Sequence, residues 1–208
     1  MDLFQEMVLS GVRPNEYSLS SIINACTGFG DGSQGRKIHG YMIKLGYESD
    51  SFSANALVDM YAKVKSLDDA VTVFEKIAQP DLVSWTAVIA GCVLHRDHDR
   101  ALKFFRQMKG SGIRPNMFTL SSALKACAGL GFKKLGRQLH SFLIKMDMES
   151  DSFVNVGLID MYCKCEMMSN ARVLFDMMPK KDMIAWNAVI SGHSQNGEDI
   201  EAVSLFSE

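Results

Sequence analysis

The feature that most constrains this chain is an internal repeat with an offset of 101 residues. The aligned pairs are SGVRPN (10–15) with SGIRPN (111–116), LSSIINACTGFG (19–30) with LSSALKACAGLG (120–131), LVDMYAK (57–63) with LIDMYCK (158–164), and VSWTAVIAG (83–91) with IAWNAVISG (184–192). The match continues through the whole overlap. A chain built this way is predicted to stack copies of one supersecondary arrangement and not to close around a single core.

Within each copy, a short apolar segment that ends in turn residues is followed by a second segment carrying A-x3-F. In the stretch 51–81 apolar residues recur every three or four positions, namely Phe52, Ala56, Leu57, Met60 and Tyr61 in the first segment and Val71, Phe74 and Ile77 in the second. This spacing predicts two amphipathic helices. The predicted fold class is therefore all-α, a solenoid of antiparallel helix-pair repeats, or alpha-alpha superhelix.

An Asp or Asn before each first helix marks the end of a repeat, so that each copy holds three helix pairs. The predicted repeats are 16–50, 51–81, 82–116, 117–151 and 152–182, with partial repeats at 1–15 and 183–208. A helix pair of this size cannot bury its apolar face alone, so the repeats must stack, and one surface site recurs in each. We expect the chain to be a fragment of a longer array.

Composition limits the class of function. A formal net charge of −2 excludes a protein that coats nucleic acid by charge alone, because such proteins carry a clustered basic surplus. No apolar run approaches the roughly 18 residues that span a bilayer, so no membrane partner is expected. The odd set of five cysteines suits reduced core thiols better than a disulfide framework.

No arrangement of residues typical of catalysis is present. A structural zinc site needs four ligands, and Cys163-x-Cys165 has no second pair. His39 and His140 occupy equivalent positions that hold Phe in other repeats, which indicates helix-interface residues. The sequence therefore predicts no enzyme, no metal, no cofactor and no small-molecule substrate.

Two further recurring positions are interpreted as packing sites. Trp85 and Trp186 stand four residues into the first helices of their repeats and are expected to lie between helices. Small residues recur at one position of the second helices, where a methyl group allows close approach of two helix axes: Ala70, Ala101, Ala171 and Ala202.

Two polar positions in each repeat are the most informative about function. The last positions are Asn15, Asp50, Asp81, Asn116, Asp151 and Asp182, and the fifth positions are Ser20, Asn55, Thr86, Ser121, Val156 and Asn187. Asp and Asn are favoured N-caps, which is the simpler explanation of the last position. Ser and Thr cap helices well too, however, and neither occurs there. A repeated pair of hydrogen-bonding groups of varying identity is what a sequence-reading surface requires.

The chain resembles the pentatricopeptide repeat proteins of land plants, in the subclass that alternates 35-residue, longer-type and 31-residue motifs. The resemblance covers the whole chain. The motifs that carry it are DLVSWTAVIAG and DMIAWNAVISG for the standard type, LSSALKACAGLG with GRQLHSFLIK for the long type, and ALVDMYAK with AVTVFEKI for the short type.

The resemblance implies a right-handed superhelix that binds single-stranded RNA of mitochondria or chloroplasts, one nucleotide per repeat, with the N-terminus toward the RNA 5′ end. Many members specify sites of C-to-U RNA editing, so editing-factor proteins are expected as further partners. Editing chemistry in this family belongs to a C-terminal deaminase-like domain or a recruited one, and no such domain is recognisable in these residues.

The resemblance also implies roles for single residues. The fifth residue separates purine from pyrimidine, and the last residue selects through the Watson–Crick edge, since Asp accepts from the ring N–H of U or G and Asn satisfies A or C. The implied pairs are Asn55 with Asp81 for U, Thr86 with Asn116 for A, and Ser20 with Asp50 and Ser121 with Asp151 for G. Val156 leaves Asp182 without its usual polar partner, and the chain ends before Asn187 meets one.

Position two of each repeat would sandwich the base: Phe52, Val83, Phe118, Phe153 and Ile184. Lys63 and Lys164, at equivalent ends of first helices, are candidate phosphate contacts. They are equally explained as C-terminal charges that complement the helix dipole.

Two other functions are compatible with helix pairs. A tetratricopeptide-type protein-interaction scaffold shares A-x3-F, but its near-constant 34-residue W-x2-L-G-x2-Y pattern is absent. A direct RNA-processing enzyme would need the catalytic residues that the sequence lacks. Sequence-selective RNA binding is the function that the polar positions and the resemblance favour.

Overall fold

The helical periodicity of the sequence appears as thirteen α-helices in the computed structural model, which describes residues 2–30, 32–47, 50–148 and 151–206. The chain divides into an N-terminal half, Met1–Pro115, and a C-terminal half, Asn116–Glu208. The outermost residues of the predicted partial repeats, 1 and 207–208, lie outside the described part. No helix in the described ranges is long and apolar enough to cross a membrane.

First and second helices alternate along both halves. The N-terminal half contains α1 (Asp2–Leu9), α2 (Glu16–Phe29), α3 (Gly32–Leu45), α4 (Ser51–Lys63), α5 (Leu67–Glu75), α6 (Leu82–Leu94) and α7 (His98–Gly110). The C-terminal half contains α8 (Met117–Leu130), α9 (Lys133–Lys145), α10 (Ser152–Lys164), α11 (Met168–Met177), α12 (Met183–Gln195) and α13 (Asp199–Phe206). The even-numbered helices are the first helices of the predicted repeats.

In each half the first helices form one layer. Helix α4 packs between α2 and α6, and α10 packs between α8 and α12. From α3 onward each second helix packs on its own first helix, and α3, α5, α9 and α11 also contact the next first helix along the chain. The apolar face that one pair leaves open is therefore covered by its neighbour, as expected for a repeat array.

Phe52 shares the three- and four-residue spacing of the core residues, but its side chain is half exposed, as a contact with a base would require. One detail of the predicted helix pair 51–81 is wrong. The spacing predicts Ile77 on the second helix, but α5 ends at Glu75 and Ile77 is buried in the turn that follows. A three- or four-residue spacing identifies a helix but does not define which edge of its apolar stripe faces the core.

The predicted packing residues lie in the interior. Ala70, Ala101, Ala171 and Ala202 are all buried, which confirms their role at close helix contacts.

The two tryptophans pack edge-on against the phenylalanine of the preceding second helix. The ring centroids lie 4.8 Å apart for Trp85 and Phe74 and 4.7 Å apart for Trp186 and Phe175. Such edge-to-face pairs are stabilising beyond the area that they bury. The interpretation of both tryptophans as packing residues is confirmed.

The equivalent histidines make equivalent contacts. The Nδ1 atom of His39 lies 2.9 Å from the hydroxyl of Tyr61, and that of His140 lies 2.8 Å from the hydroxyl of Tyr162. Each contact joins a second helix to the next first helix. The histidines thus occupy the aromatic interface position that the sequence predicted.

All five cysteines are buried. Burial raises the pKa of Cys92, Cys127 and Cys163 to about 12, so these thiols stay protonated. The sulfur atoms of Cys163 and Cys165 serve different contacts, since Cys163 packs against Gly192 and Cys165 Sγ lies 3.8 Å from the Cys127 carbonyl oxygen. Within the described ranges, no group of three His, Cys, Asp or Glu side chains could hold a metal ion.

Each first helix begins at the Asp or Asn that ends the preceding repeat. The capped amides, with their distances, are Ser18 N to Asn15 at 2.9 Å, Ser53 N to Asp50 at 2.8 Å, Ser84 N to Asp81 at 2.8 Å, Thr119 N to Asn116 at 2.9 Å, Val154 N to Asp151 at 3.1 Å and Ala185 N to Asp182 at 2.9 Å. All six last-position residues therefore satisfy helix N–H groups that would otherwise lack a partner.

The cap of α6 is the most heavily bonded. Burial acts to raise the pKa of the Asp81 carboxyl, but hydrogen bonds from the Ser84 amide and hydroxyl and from the Asn55 side chain hold that pKa below its usual value. These donors favour the charged form of the carboxyl.

Close contact between first helices makes Gly192→Ala destabilising. A methyl group at Gly192 on α12 would meet the Cys163 side chain on α10, with Cβ to Cβ at 2.8 Å. Overpacking of this kind costs about 1–3 kcal/mol. We expect urea denaturation to show a lower free energy of unfolding for Gly192→Ala. The matched control is Gly40→Ala on α3, where nothing lies within 4 Å and the added methyl should be neutral or stabilising. Equal stability of the two variants would contradict the close contact.

The lowered pKa of Asp81 predicts a pH-dependent difference between the wild type and Asp81→Asn. Asparagine keeps the capping acceptor, as Asn15 and Asn116 do, but loses the titrating charge. A carboxyl whose pKa is lowered by folding adds stability above its unfolded pKa, near pH 4, and this stability is lost as the pH falls through the folded pKa. The free energies of unfolding should differ by a constant above about pH 4, and the wild type should lose stability relative to the variant on further acidification. Parallel profiles down to about pH 2 would show that the Asp81 pKa is not lowered.

Candidate nucleic-acid interface

The predicted base-sandwich residues are exposed on the first helices of both halves. Their exposed fractions are 51% for Phe52 and 58% for Val83 in the N-terminal half, and 66% for Phe118, 52% for Phe153 and 62% for Ile184 in the C-terminal half. Large apolar side chains that stay exposed at the same position of each first helix are not needed for the core. Within each half they offer one apolar contact per repeat to a ligand.

Tyr17, in the N-terminal half, is a further exposed apolar residue at position two, which was absent from the predicted set. It is the second residue of repeat 16–50 and is 64% exposed. Its ring centroid lies 5.3 Å from that of Phe52, with the planes tilted by 57°. Counting positions in the repeat would have found it, because Tyr17 precedes the fifth residue Ser20 by the same three residues as Phe52 precedes Asn55.

In repeat 51–81 the fifth and last residues lie against each other. The Asn55 side-chain amide donates to Asp81 Oδ1 at 3.4 Å, although 26 residues separate them along the chain. Asn55 Oδ1 has no hydrogen-bond partner among the described residues. Phe52 is on the same helix face as Asn55 because the two are three residues apart. The three side chains together form a small site with an exposed ring, an amide and a carboxylate.

The hydroxyl groups at position five serve their own helices. Ser20 Oγ donates to the Tyr17 carbonyl oxygen at 3.1 Å, and Thr86 Oγ1 donates to the Leu82 carbonyl oxygen at 2.7 Å. Ser20 and Ser121 are also buried. The polar residues Ser20 and Thr86 at position five therefore need no ligand to explain them, because a hydroxyl on a packed helix can bond its own backbone. Thr86 lies in the N-terminal half and Asn116 in the C-terminal half, and their pairing stays a prediction.

The C-terminal half contains a groove of about 640 Å³ along its first helices. Its walls come from α8, α10 and α12. The predicted site residues that line it are Ser121, Phe153, Val156, Asp182, Ile184 and Asn187. The structure thus brings the fifth and second positions of adjacent repeats to one surface, as the repeat register requires.

The valine at position five makes one wall of this groove apolar. Val156 lies beside Gly157, so this part of α10 presents neither a donor nor an acceptor from a side chain. Asp182 caps α12 through Oδ1, and Oδ2 accepts no hydrogen bond from the described residues. Asn187 is exposed on the next helix.

The two candidate phosphate lysines are ion-paired within their helices. Lys63 Nζ lies 2.7 Å from an Asp59 carboxylate oxygen, and Lys164 Nζ lies 2.9 Å from one of Asp160. The pairs are equivalent in the two copies and all four side chains are partly exposed. Exposed pairs four residues apart are weak, so either lysine can exchange its partner. Asp59 and Asp160 each precede the lysine by four residues, so both pairs could have been predicted from the sequence.

Family models of the PPR repeat match much of the chain. The PPR repeat family model matches residues 80–129, and the PPR repeat model matches residues 52–79, 157–183 and 184–208. Together these matches cover more than half of the chain. They describe non-catalytic repeats, in agreement with the prediction that this chain is not itself an enzyme.

Similar proteins occur in Arabidopsis thaliana. Pentatricopeptide repeat-containing protein At2g33680 is 39% identical over 206 residues, which are 99% of this chain and 28% of that protein. Pentatricopeptide repeat-containing protein At2g03880, mitochondrial, is also 39% identical over 206 residues, which are 99% of this chain and 32% of that protein. The chain therefore spans about a third of the length of these relatives.

Solved structures show the same fold. The pentatricopeptide repeat protein PPR10 in complex with an 18-nt psaJ RNA element superposes with a TM-score of 0.86 at 22% identity, over 99% of this chain and 31% of that chain. PPR10 from maize superposes with a TM-score of 0.64 at 18% identity, over 97% of this chain and 31% of that chain. These likenesses confirm the all-α solenoid of helix-pair repeats. The repeat models, which match more than half of the chain, show that it belongs to the pentatricopeptide repeat family.

Proposed function

We propose that this chain binds single-stranded RNA in a sequence-selective manner, with one base at each repeat. The observation that carries the proposal is the site of Phe52, Asn55 and Asp81, in which an exposed ring lies beside a hydrogen-bonded amide and carboxylate. A base can stack on the ring and present its Watson–Crick edge to the polar pair. The RNA complex of PPR10, which shares the fold, supports RNA as the ligand.

Selectivity in this site follows from the donors and acceptors available. The charged Asp81 carboxylate accepts hydrogen bonds only, and its lowered pKa keeps it charged at neutral pH. Uracil offers a ring N–H to such an acceptor, whereas the corresponding ring nitrogen of cytosine is itself an acceptor. Repeat 51–81 should therefore prefer U over C.

Binding a base between Tyr17 and Phe52 requires the rings to move apart. Their centroids are 5.3 Å apart without RNA, and a base stacked on both rings needs roughly 7 Å, twice the ~3.4 Å spacing of stacked bases. Both rings are exposed, so rotation of the side chains provides this space without rearranging the core.

We further assign the RNA binding to the selection of C-to-U editing sites in mitochondria or chloroplasts. The support is the alternation of 35- and 31-residue motifs that resembles the editing subclass, together with a similar relative that carries mitochondrial in its name. Editing-factor proteins would be recruited by other parts of a longer protein. Sequencing of RNA cross-linked to the protein in plant cells tests this assignment, which requires the bound segments to lie next to edited cytidines.

Asp81→Asn should change the preferred base at repeat 51–81 from U toward C. The asparagine amide donates to the cytosine ring nitrogen, which the carboxylate repels. One hydrogen bond exchanged in this way corresponds to about three- to tenfold in relative affinity. The measurement is fluorescence anisotropy with short single-stranded RNAs that differ only in the U or C facing this repeat.

Asp97→Asn provides a matched control, since Asp97 caps the second helix α7 by accepting from Arg100 N at 3.1 Å. It makes the same substitution at a helix N-cap away from the first helices and should leave the base preference unchanged. Equal affinities of the wild type for all base variants would contradict selective reading. Failure to bind any single-stranded RNA at low salt, with a protein partner found instead, would contradict RNA binding altogether and favour a scaffold.

A further inference from the structure

The groove of the C-terminal half has an uneven charge distribution. Among the side chains that line it, one carries a positive charge, Lys125, and two carry a negative charge, Asp160 and Asp182. A polyanion cannot lie anywhere in such a groove at equal free energy, because its phosphates are repelled by both carboxylates. The favourable arrangement places a phosphate at the ammonium group and the hydrogen-bond donors of the bases at the carboxylates.

Lys125 differs from the lysines that the sequence singled out. The charge of Lys164 is compensated by Asp160 at 2.9 Å on the same helix. Lys125 is exposed on α8 and forms no ion pair with the described residues. Its ammonium group is therefore available without first breaking an interaction, whereas Lys164 must exchange one partner for another.

The position of Lys125 relative to the reading residues also suits a backbone contact. Lys125 follows Ser121, the fifth residue of its repeat, by four residues, so the two lie on the same face of α8 one turn apart. A nucleotide whose base lies at Ser121 would extend its phosphate along this face.

We propose that Lys125 is an additional phosphate contact, which fixes the position of the RNA backbone in the C-terminal half. This inference rests on the proposed RNA binding and extends it to a residue outside the fifth, last and second positions. Lys125 acts as a positioning residue, and it carries no base selectivity because phosphate contacts are the same for every sequence.

The repeat itself supplies the matched comparison. Asn24 on α2 occupies the position in the first copy that Lys125 occupies in the second, and it is exposed. Lys125→Asn therefore installs the residue of the first copy in the second, and Asn24→Lys does the reverse. Lys103→Asn, on the exposed surface of the second helix α7, makes the same charge change away from the first helices.

The experiment titrates the full chain and each variant with short single-stranded RNAs over a range of salt concentrations. For Lys125→Asn we expect the affinity to fall about fivefold at 0.1 M salt and the slope of log affinity against log salt to become shallower by about 0.7, the value for one phosphate contact on single-stranded nucleic acid. For Asn24→Lys we expect the opposite change in both quantities. The base preference and the thermal unfolding midpoint should not change in either variant, which separates a phosphate contact from a structural effect.

Three results decide the matter. Opposite changes in salt slope for Lys125→Asn and Asn24→Lys, with Lys103→Asn close to the wild type, support the proposal. If Lys125→Asn and Lys103→Asn behave alike while the wild type still binds RNA with base preference, the phosphate contact is overturned and the proposed function stands. If the wild type itself binds none of the RNAs, both are overturned.

Discussion

The close packing of successive first helices is the contact on which the other features depend. In each half these helices lie side by side, and small residues allow them to approach, as where Gly91 on α6 faces Ala62 on α4 and Gly192 on α12 faces Cys163 on α10. These two contacts occupy equivalent positions in the two copies, so they hold α4 with α6 and α10 with α12 in the same way. The exposed residues on the same helices are held apart by these contacts. Under the proposed function, a core contact thus determines the distance between consecutive base-binding positions.

The last residue of each repeat has a structural role that is independent of any ligand. All six cap the following helix, and Asp81 also accepts hydrogen bonds from the side chains of Ser84 and Asn55. Under the proposed function the same carboxylate also faces a base. The two roles are compatible because an aspartate has two carboxylate oxygens, each with lone pairs. Asp182, for example, uses only Oδ1 to cap α12. Ser or Thr could cap but offers a single oxygen, which gives a physical reason for the absence of both residues at this position.

Much of the fold could be predicted from the sequence because a 101-residue period and three- or four-residue spacing leave few alternatives to stacked helix pairs. The caps, the buried alanines and the histidine contacts followed from position alone. The exposure of Phe52 did not follow from its spacing, which is that of a core residue; only the family resemblance, which places position two against a base, indicates that it faces outward. The partners of the polar side chains were not predicted either. The hydroxyls of Ser20 and Thr86 donate to their own helices, and Lys63 and Lys164 pair with aspartates. The exposed position of Tyr17 could have been predicted by counting it as the second residue of repeat 16–50.

The aspartate–lysine pairs of α4 and α10 have a consequence for arrays of any length. Each pair adds a positive and a negative charge together, so lengthening the array adds contact positions while its net charge stays near zero. A protein that instead gained one unpaired lysine with each added repeat would bind every RNA more tightly. Its affinity for unrelated transcripts would then increase as fast as its affinity for the intended one. Under the proposed function, charge compensation inside the repeat would let a longer array select a longer RNA sequence without a matching increase in non-specific affinity.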